Sequence, residues 1–230
     1  MARRNIMAVT LVTVLLNGPA ASAEGEALSA DQQAAYDACL EQNMAMAMAW
    51  EMIEAQCLES AMKAGAKSDA ARFEGYSWSD DYVEFRDLVL AGEAKAAADL
   101  GDQFIDAASM DLNFHNPDFG VVAMEVGAAH QRAGQFDRAR ALYGQAAAAF
   151  TFARGFADPD AVDAIGMLAD VALQMGDVDG AVLLYQEAIA RAALAGLEDR
   201  EDMLFRGLAD AYDRTDPRIS EAIRDALPQD

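Results

Sequence analysis

Between Asn116 and Gly196 the chain repeats itself at a spacing of 42 residues, and no other feature limits its fold so strongly. Asn116-Pro117-Asp118 answers Asp158-Pro159-Asp160, Gly134 answers Gly176, Phe136 answers Val178, Ala139 answers Ala181, Tyr143 answers Tyr185 and Ala146 answers Ala188. The same step taken upstream reaches Gly92 and Ala97, without the aromatic positions. Self-similarity at this period marks an array, in which each unit buries its apolar face by stacking on its neighbours.

Local chemistry gives the unit its shape. Asn116 and Asp158 are N-cap residues, each followed by a proline at the first helical position, where a missing backbone donor costs nothing. Asp216-Pro217 repeats the device before a last short helix, Arg218 to Leu227. Gly134 and Gly176 can take the left-handed conformation that closes one helix and turns the chain back. Each unit is therefore a hairpin of two antiparallel helices. Alanines 139, 146, 181 and 188 let neighbouring helices approach closely, Gly127 and Ala169 provide small contacts on the first helices, and Tyr143 and Tyr185 fill the space between. Upstream, Ser79 to Ala91 and Glu93 to Ala108 read as an earlier helix pair, and 110–117 as the connection to the first clear repeat. Phe73, Tyr76 and Trp78, in the loop before it, are expected to cover the open end of the array.

These residues resemble the tetratricopeptide repeat. Gly127, His130, Gly134, Phe136, Ala139, Tyr143 and Ala146 fit the family's small, aromatic, glycine and alanine positions in order, and Ala169, Ala172, Gly176, Val178, Ala181, Tyr185 and Ala188 fit them again. Leu208, Ala209 and Tyr212 restart the first-helix pattern, slightly out of register. The 42-residue unit is similar to the long-helix variety seen in kinesin light chains. The resemblance implies an all-α fold, an α-solenoid of antiparallel helix pairs over 79–230; the residues before it, which the resemblance does not cover, read as a long N-terminal helix or helical hairpin. It also implies a binding face. Carried over from the family, the concave surface comprises Val121, Met124, Ala128, Gln131 and Arg132, then Asp163, Gly166, Asp170, Leu173 and Gln174. The less regular last repeat adds Met203, Arg206, Asp210, Asp213 and Arg214.

The N-terminus reads as a targeting segment. Arg3 and Arg4, an apolar run from Ile6 to Leu16 and Ala21-Ser22-Ala23 form the three regions of a secretory signal. Eleven apolar residues fall short of the ~20 that span a membrane. Cleavage is expected after Ala23, with no membrane insertion afterwards, which places the protein in a periplasm or outside the cell. Residues 1–23 carry two of the 17 basic residues and none of the 39 acidic ones, so cleavage moves the net charge from −22 to −24. Such a chain disfavours nucleic acid, whose binding rests on phosphate neutralisation by Lys and Arg. A basic protein or peptide suits it better.

Residues 24–78 form a second segment. Ser29-Ala30-Asp31-Gln32 reads as a capping box, and residues 30–64 lack both Gly and Pro, up to a plausible stop at Gly65. One unbroken helix there would be about 52 Å long. Cys39 and Cys57, 18 residues apart, would then lie about 27 Å from each other, against the ~6 Å between α-carbons that a disulfide permits. Export favours pairing. The arrangements left open are a hairpin turning near Met48, a disulfide-linked antiparallel homodimer crossing there, and free buried thiols. Met44, Met46, Met48 and Met52 invite a cuprous-ion reading, since thioethers are soft ligands, although packing is the commoner use of methionine.

Catalytic chemistry is not signalled. His115 and His130 have no partner at metal-ligand spacing, and no nucleophile motif, phosphate loop or dinucleotide fingerprint is present. No residue is nominated as catalytic, as a metal ligand or as a cofactor ligand, and an enzyme is not expected. The sequence points to an exported scaffold holding a protein or peptide segment on its concave face. The alternative is an envelope protein handling a small molecule or copper on the Met-rich segment.

Overall fold

A computed structural model describes residues 29–43, 57, 60–61 and 71–228. Among these are nine helices and no strand: α1 (Ala30–Asn43), α2 (Ser79–Leu90), α3 (Ala94–Leu112), α4 (Pro117–Arg132), α5 (Phe136–Arg154), α6 (Pro159–Gln174), α7 (Val178–Ala195), α8 (Glu198–Asp213) and α9 (Pro217–Ala226). The chain divides into two units, Met1–Gly92 and Glu93–Asp230. Helix α2, which the sequence assigns to the repeat region, thus falls in the first unit. The signal segment and the methionines at 44, 46, 48 and 52 lie outside the described residues.

In the first unit the capping box forms as its residues dictate. The Ser29 backbone N–H donates to Gln32 Oε1 at 2.8 Å and the Gln32 N–H to Ser29 Oγ at 3.3 Å. Cys39 and Cys57 are joined within one chain, their α-carbons 5.2 Å apart. Of the arrangements the sequence leaves open, this is a bond within one chain, and it closes without the second chain of the antiparallel dimer. Further along, Phe73, Trp78, Tyr82 and Phe85 are buried together, with Phe73 edge-on to Tyr82 at 5.0 Å. Tyr76 stacks on Trp78 at 5.3 Å.

The second unit is built from repeated end signals. Asn116 accepts the Asp118 N–H at 2.8 Å, Asp158 the Ala161 N–H at 3.2 Å and Asp216 the Arg218 N–H at 3.2 Å, each one residue before the proline that opens α4, α6 and α9. At the other ends of α4 and α6, Gly134 (φ 74°) and Gly176 (φ 84°) are left-handed. The Gln135 N–H returns to the His130 carbonyl at 2.8 Å and the Asp177 N–H to Ala172 at 2.9 Å, the six-to-one bond of a Schellman closure. Helix α3 runs one turn beyond the expected end at Ala108, to Leu112. It stops where Asn113 takes φ 69° and ψ 141°, outside the helical regions.

Each helix from α3 to α9 packs on the next in sequence, and α6 also touches α8 past the intervening α7. Small residues set the spacing. A methyl group at Gly127 would stand 3.0 Å from the Tyr143 ring, and one at Gly207 2.5 Å from the Tyr185 ring. Tyr143, Ala139 and Val171 form a buried cluster that ties α5 to α6. Helices α4, α6 and α8, the first helices of successive hairpins, carry the expected binding positions.

Candidate functional face

Hydroxyl groups explain why both repeats use tyrosine rather than phenylalanine between their helices. A buried phenol must find an acceptor. Tyr143 donates to Gln131 Oε1 at 2.8 Å, and Tyr185 donates to Asp170 Oδ1. Each ring fills the hairpin while its polar end reaches a residue expected on the concave face. Burial raises the pKa of both phenols, and for Tyr185 the neighbouring Asp170 carboxylate adds to the rise.

Around these two anchors the expected residues meet across three helices. Gln131 on α4 donates to Gln174 on α6 at 3.3 Å. Arg214, at the end of α8, donates to the Leu173 carbonyl on α6 at 2.7 Å. Asp170 is largely desolvated, which raises its pKa; the Tyr185 hydrogen bond works against the rise and nearby Asp210 adds to it. Arg132 lies close enough to Tyr143 to oppose the rise in its pKa. The C-terminal halves of α4, α6 and α8 thus present Gln131, Arg132, Asp170, Gln174, Asp210 and Arg214 as one mixed-charge strip.

The remaining expected residues fall elsewhere. Asp163, near the start of α6, holds Arg200 of α8 by two bonds of 2.8 and 3.1 Å. Asp213 and Asp210 share Arg224 of α9, each with a contact of 2.6 Å. The Arg224 hydrogen bonds bring the Asp213 carboxyl down to about 2. Met124 is half-buried against the Ala139, Tyr143 and Val171 cluster, so it supports the face more than it lines it. Arg206 is half-buried on α8. Sequence reasoning does not single out the tyrosine hydroxyls, Arg200 or Arg224. Repeated tyrosine in place of phenylalanine is the available signal for the hydroxyls, and the two arginines lie outside the repeat register.

His130 is a core residue, 1% exposed, its Nδ1 on Gln135 Oε1 and its Nε2 3.3 Å from Asp102. His115 stacks on Phe152 in the loop before α4. Among the described residues no group of three or more His, Cys, Asp or Glu side chains is placed to hold a metal ion.

Helix hairpins stacked in chain order, with their first helices sharing a face, define an α-solenoid. Residues 119–193 match the family model of the tetratricopeptide repeat. Proteins of this family generally serve as protein–protein interaction scaffolds and are generally non-enzymatic. Solved structures share the fold. The crystal structure of nearly identical TPR-like repeats from a Podosopora anserina protein assigned as a kinesin light chain is 17% identical, with a TM-score of 0.59, covering 84% of this chain and 91% of that one. A methionine-substituted variant of those repeats is 16% identical with a TM-score of 0.60, at the same coverage of 84% and 91%. BtubC (BKLC) from P. vanneervenii is 14% identical with a TM-score of 0.57, covering 87% of this chain and 89% of that one. No curated protein matches the chain.

Proposed function

We propose that the protein is an exported scaffold that holds a protein or peptide segment on the strip formed by α4, α6 and α8. The observation that carries this reading is the strip itself. Gln131, Arg132, Asp170, Gln174, Asp210 and Arg214 come from three successive repeats, and the hydroxyls of Tyr143 and Tyr185 hold two of them, Gln131 and Asp170. Amides and charges of both signs suit an extended segment whose backbone and side chains both need hydrogen-bond partners. The acidic balance of the chain favours a basic segment. Export rests on the Arg3-Arg4, apolar run and Ala21-Ser22-Ala23 pattern.

A photoreactive residue at Gln174 or Asp210, introduced into the full-length chain in its own host, tests the reading. Cross-linking to a defined protein from both positions, and not from Leu183 on α7, is the expected result. Equal labelling from all three positions, or none, would count against this face. Mass determination of the mature chain tests the export step, with loss of residues 1–23 expected.

A further inference from the structure

The 42-residue period also reaches positions that the core does not use. Met110, Phe152 and Leu194 stand one repeat apart in the last turns of α3, α5 and α7, and they are 82%, 68% and 74% exposed. Phe114 and Phe156 form a second such pair, each 53% exposed. Apolar residues recur at buried repeat positions because packing requires them, but burial does not require them at Met110, Phe152 and Leu194, whose side chains are mostly exposed. Contiguous exposed apolar surface of this kind marks an interaction site.

Contacts fix the aromatic residues of this ridge, and Met110 and Leu194 follow from the repeat register. Phe114 is edge-on to Phe119 at 5.3 Å. The His115 ring stacks on Phe152 at 3.8 Å, which links the loop before α4 to the end of α5. Arg191 of α7 lies 3.7 Å from the Phe156 ring centroid, and donates to the Phe156 carbonyl at 3.4 Å and to Thr151 Oγ1 at 3.1 Å. Leu194 follows Arg191 by three residues, on the same side of α7. The ridge thus runs along the edge where the second helices end, whereas the strip described above lies on the first helices.

Charge decides what covers it. The guanidinium groups at the ridge are already matched, Arg154 with Asp160 at 2.5 Å and Arg191 with Glu187 at 2.6 Å. Asp111, Asp118, Glu198 and Asp199 lie close to these residues in sequence, in a chain with 39 acidic against 17 basic residues. A second copy of this chain would bring the same negative charge, and an anionic lipid surface would be repelled. We propose that this ridge is a second docking surface, and that it takes a basic amphipathic segment of another protein, with aromatic or aliphatic side chains interleaved with Lys or Arg.

The probe is a synthetic peptide of about 18 residues, a helix of about 27 Å, made of Leu, Trp and Lys with its apolar residues on one face. A counterpart carries Glu in place of Lys. Binding to the mature chain is read by fluorescence anisotropy. The Lys peptide should bind, the Glu peptide should not, and the Met110→Ser/Phe152→Ser/Leu194→Ser variant should weaken binding at least about tenfold. These side chains are exposed, so unchanged circular dichroism and melting temperature will certify the fold. Arg132→Ala/Arg214→Ala should leave this binding unchanged while weakening the cross-links expected from positions 174 and 210 on the α4, α6 and α8 strip, so either surface can fail without the other. Equal binding to wild type and ridge variant, or no binding of the Lys peptide, would overturn the proposal. So would ridge-dependent dimerisation in sedimentation, or ridge-dependent binding to phosphatidylglycerol vesicles.

Discussion

Asp170 sits where a carboxylate is least comfortable, desolvated between Tyr185 and Asp210. Its folded-state pKa is raised above the unfolded value, so its ionisation opposes folding. Stability is greatest below the unfolded carboxylate pKa and falls as pH rises towards the folded one, then levels off. Asp170→Asn keeps an acceptor for the Tyr185 hydroxyl and removes the charge. The variant should melt higher than wild type at neutral pH, with the difference closing in acid, as a set of melting curves across that range will show. Two glycines make a sharper pair. Gly144, inside α5, has nothing within 4 Å of where a Cβ would stand, whereas Gly207 would place one 2.5 Å from the buried Tyr185 ring. Gly144→Ala should stabilise by about 0.5–1 kcal/mol through backbone entropy, and Gly207→Ala should destabilise by about 1–3 kcal/mol through overpacking. Urea midpoints at unchanged slope separate the two.

Among the helices, α6 depends most on its cap. Asp158 is 8% exposed and satisfies the Ala161 N–H, so Asp158→Ala should lose about 1–2 kcal/mol in urea unfolding. The caps, the prolines after them and the closing glycines were legible in the sequence because each acts within a few residues of itself. Positions 131, 170 and 174 were legible because the repeat supplies the register. The partners of Asp163 and Asp213 were not, since Arg200 and Arg224 depend on how α8 and α9 dock. The end of α3 was missed because an asparagine, rather than a glycine, turns the chain at 113. Met110, Phe152 and Leu194 repeat visibly, but a sequence records periodicity without recording which side of a helix faces water. Cys39 and Cys57 satisfied a hairpin and a dimer equally, and only the 5.2 Å between their α-carbons separates these.

For the molecule as a whole, two expectations follow from the division at Gly92. Residues 93–230 should fold alone into an almost wholly helical unit, and appreciable strand content in the circular dichroism of that fragment would contradict it. The full chain should show no titratable thiol and should run as a monomer in non-reducing electrophoresis; a doubled mass that collapses on reduction would return the pairing to the antiparallel dimer. Nearest-neighbour packing has a further consequence, for time rather than for structure. Apart from the touch between α6 and α8, the larger interhelical contacts of this unit join helices adjacent in the chain, so little loop entropy must be lost before a contact forms. Folding can begin at any hairpin and spread like a zipper. In hydrogen exchange the ten-residue α9 should open first, and protection should rise inward to the α5–α6 boundary, where Tyr143 and Val171 meet.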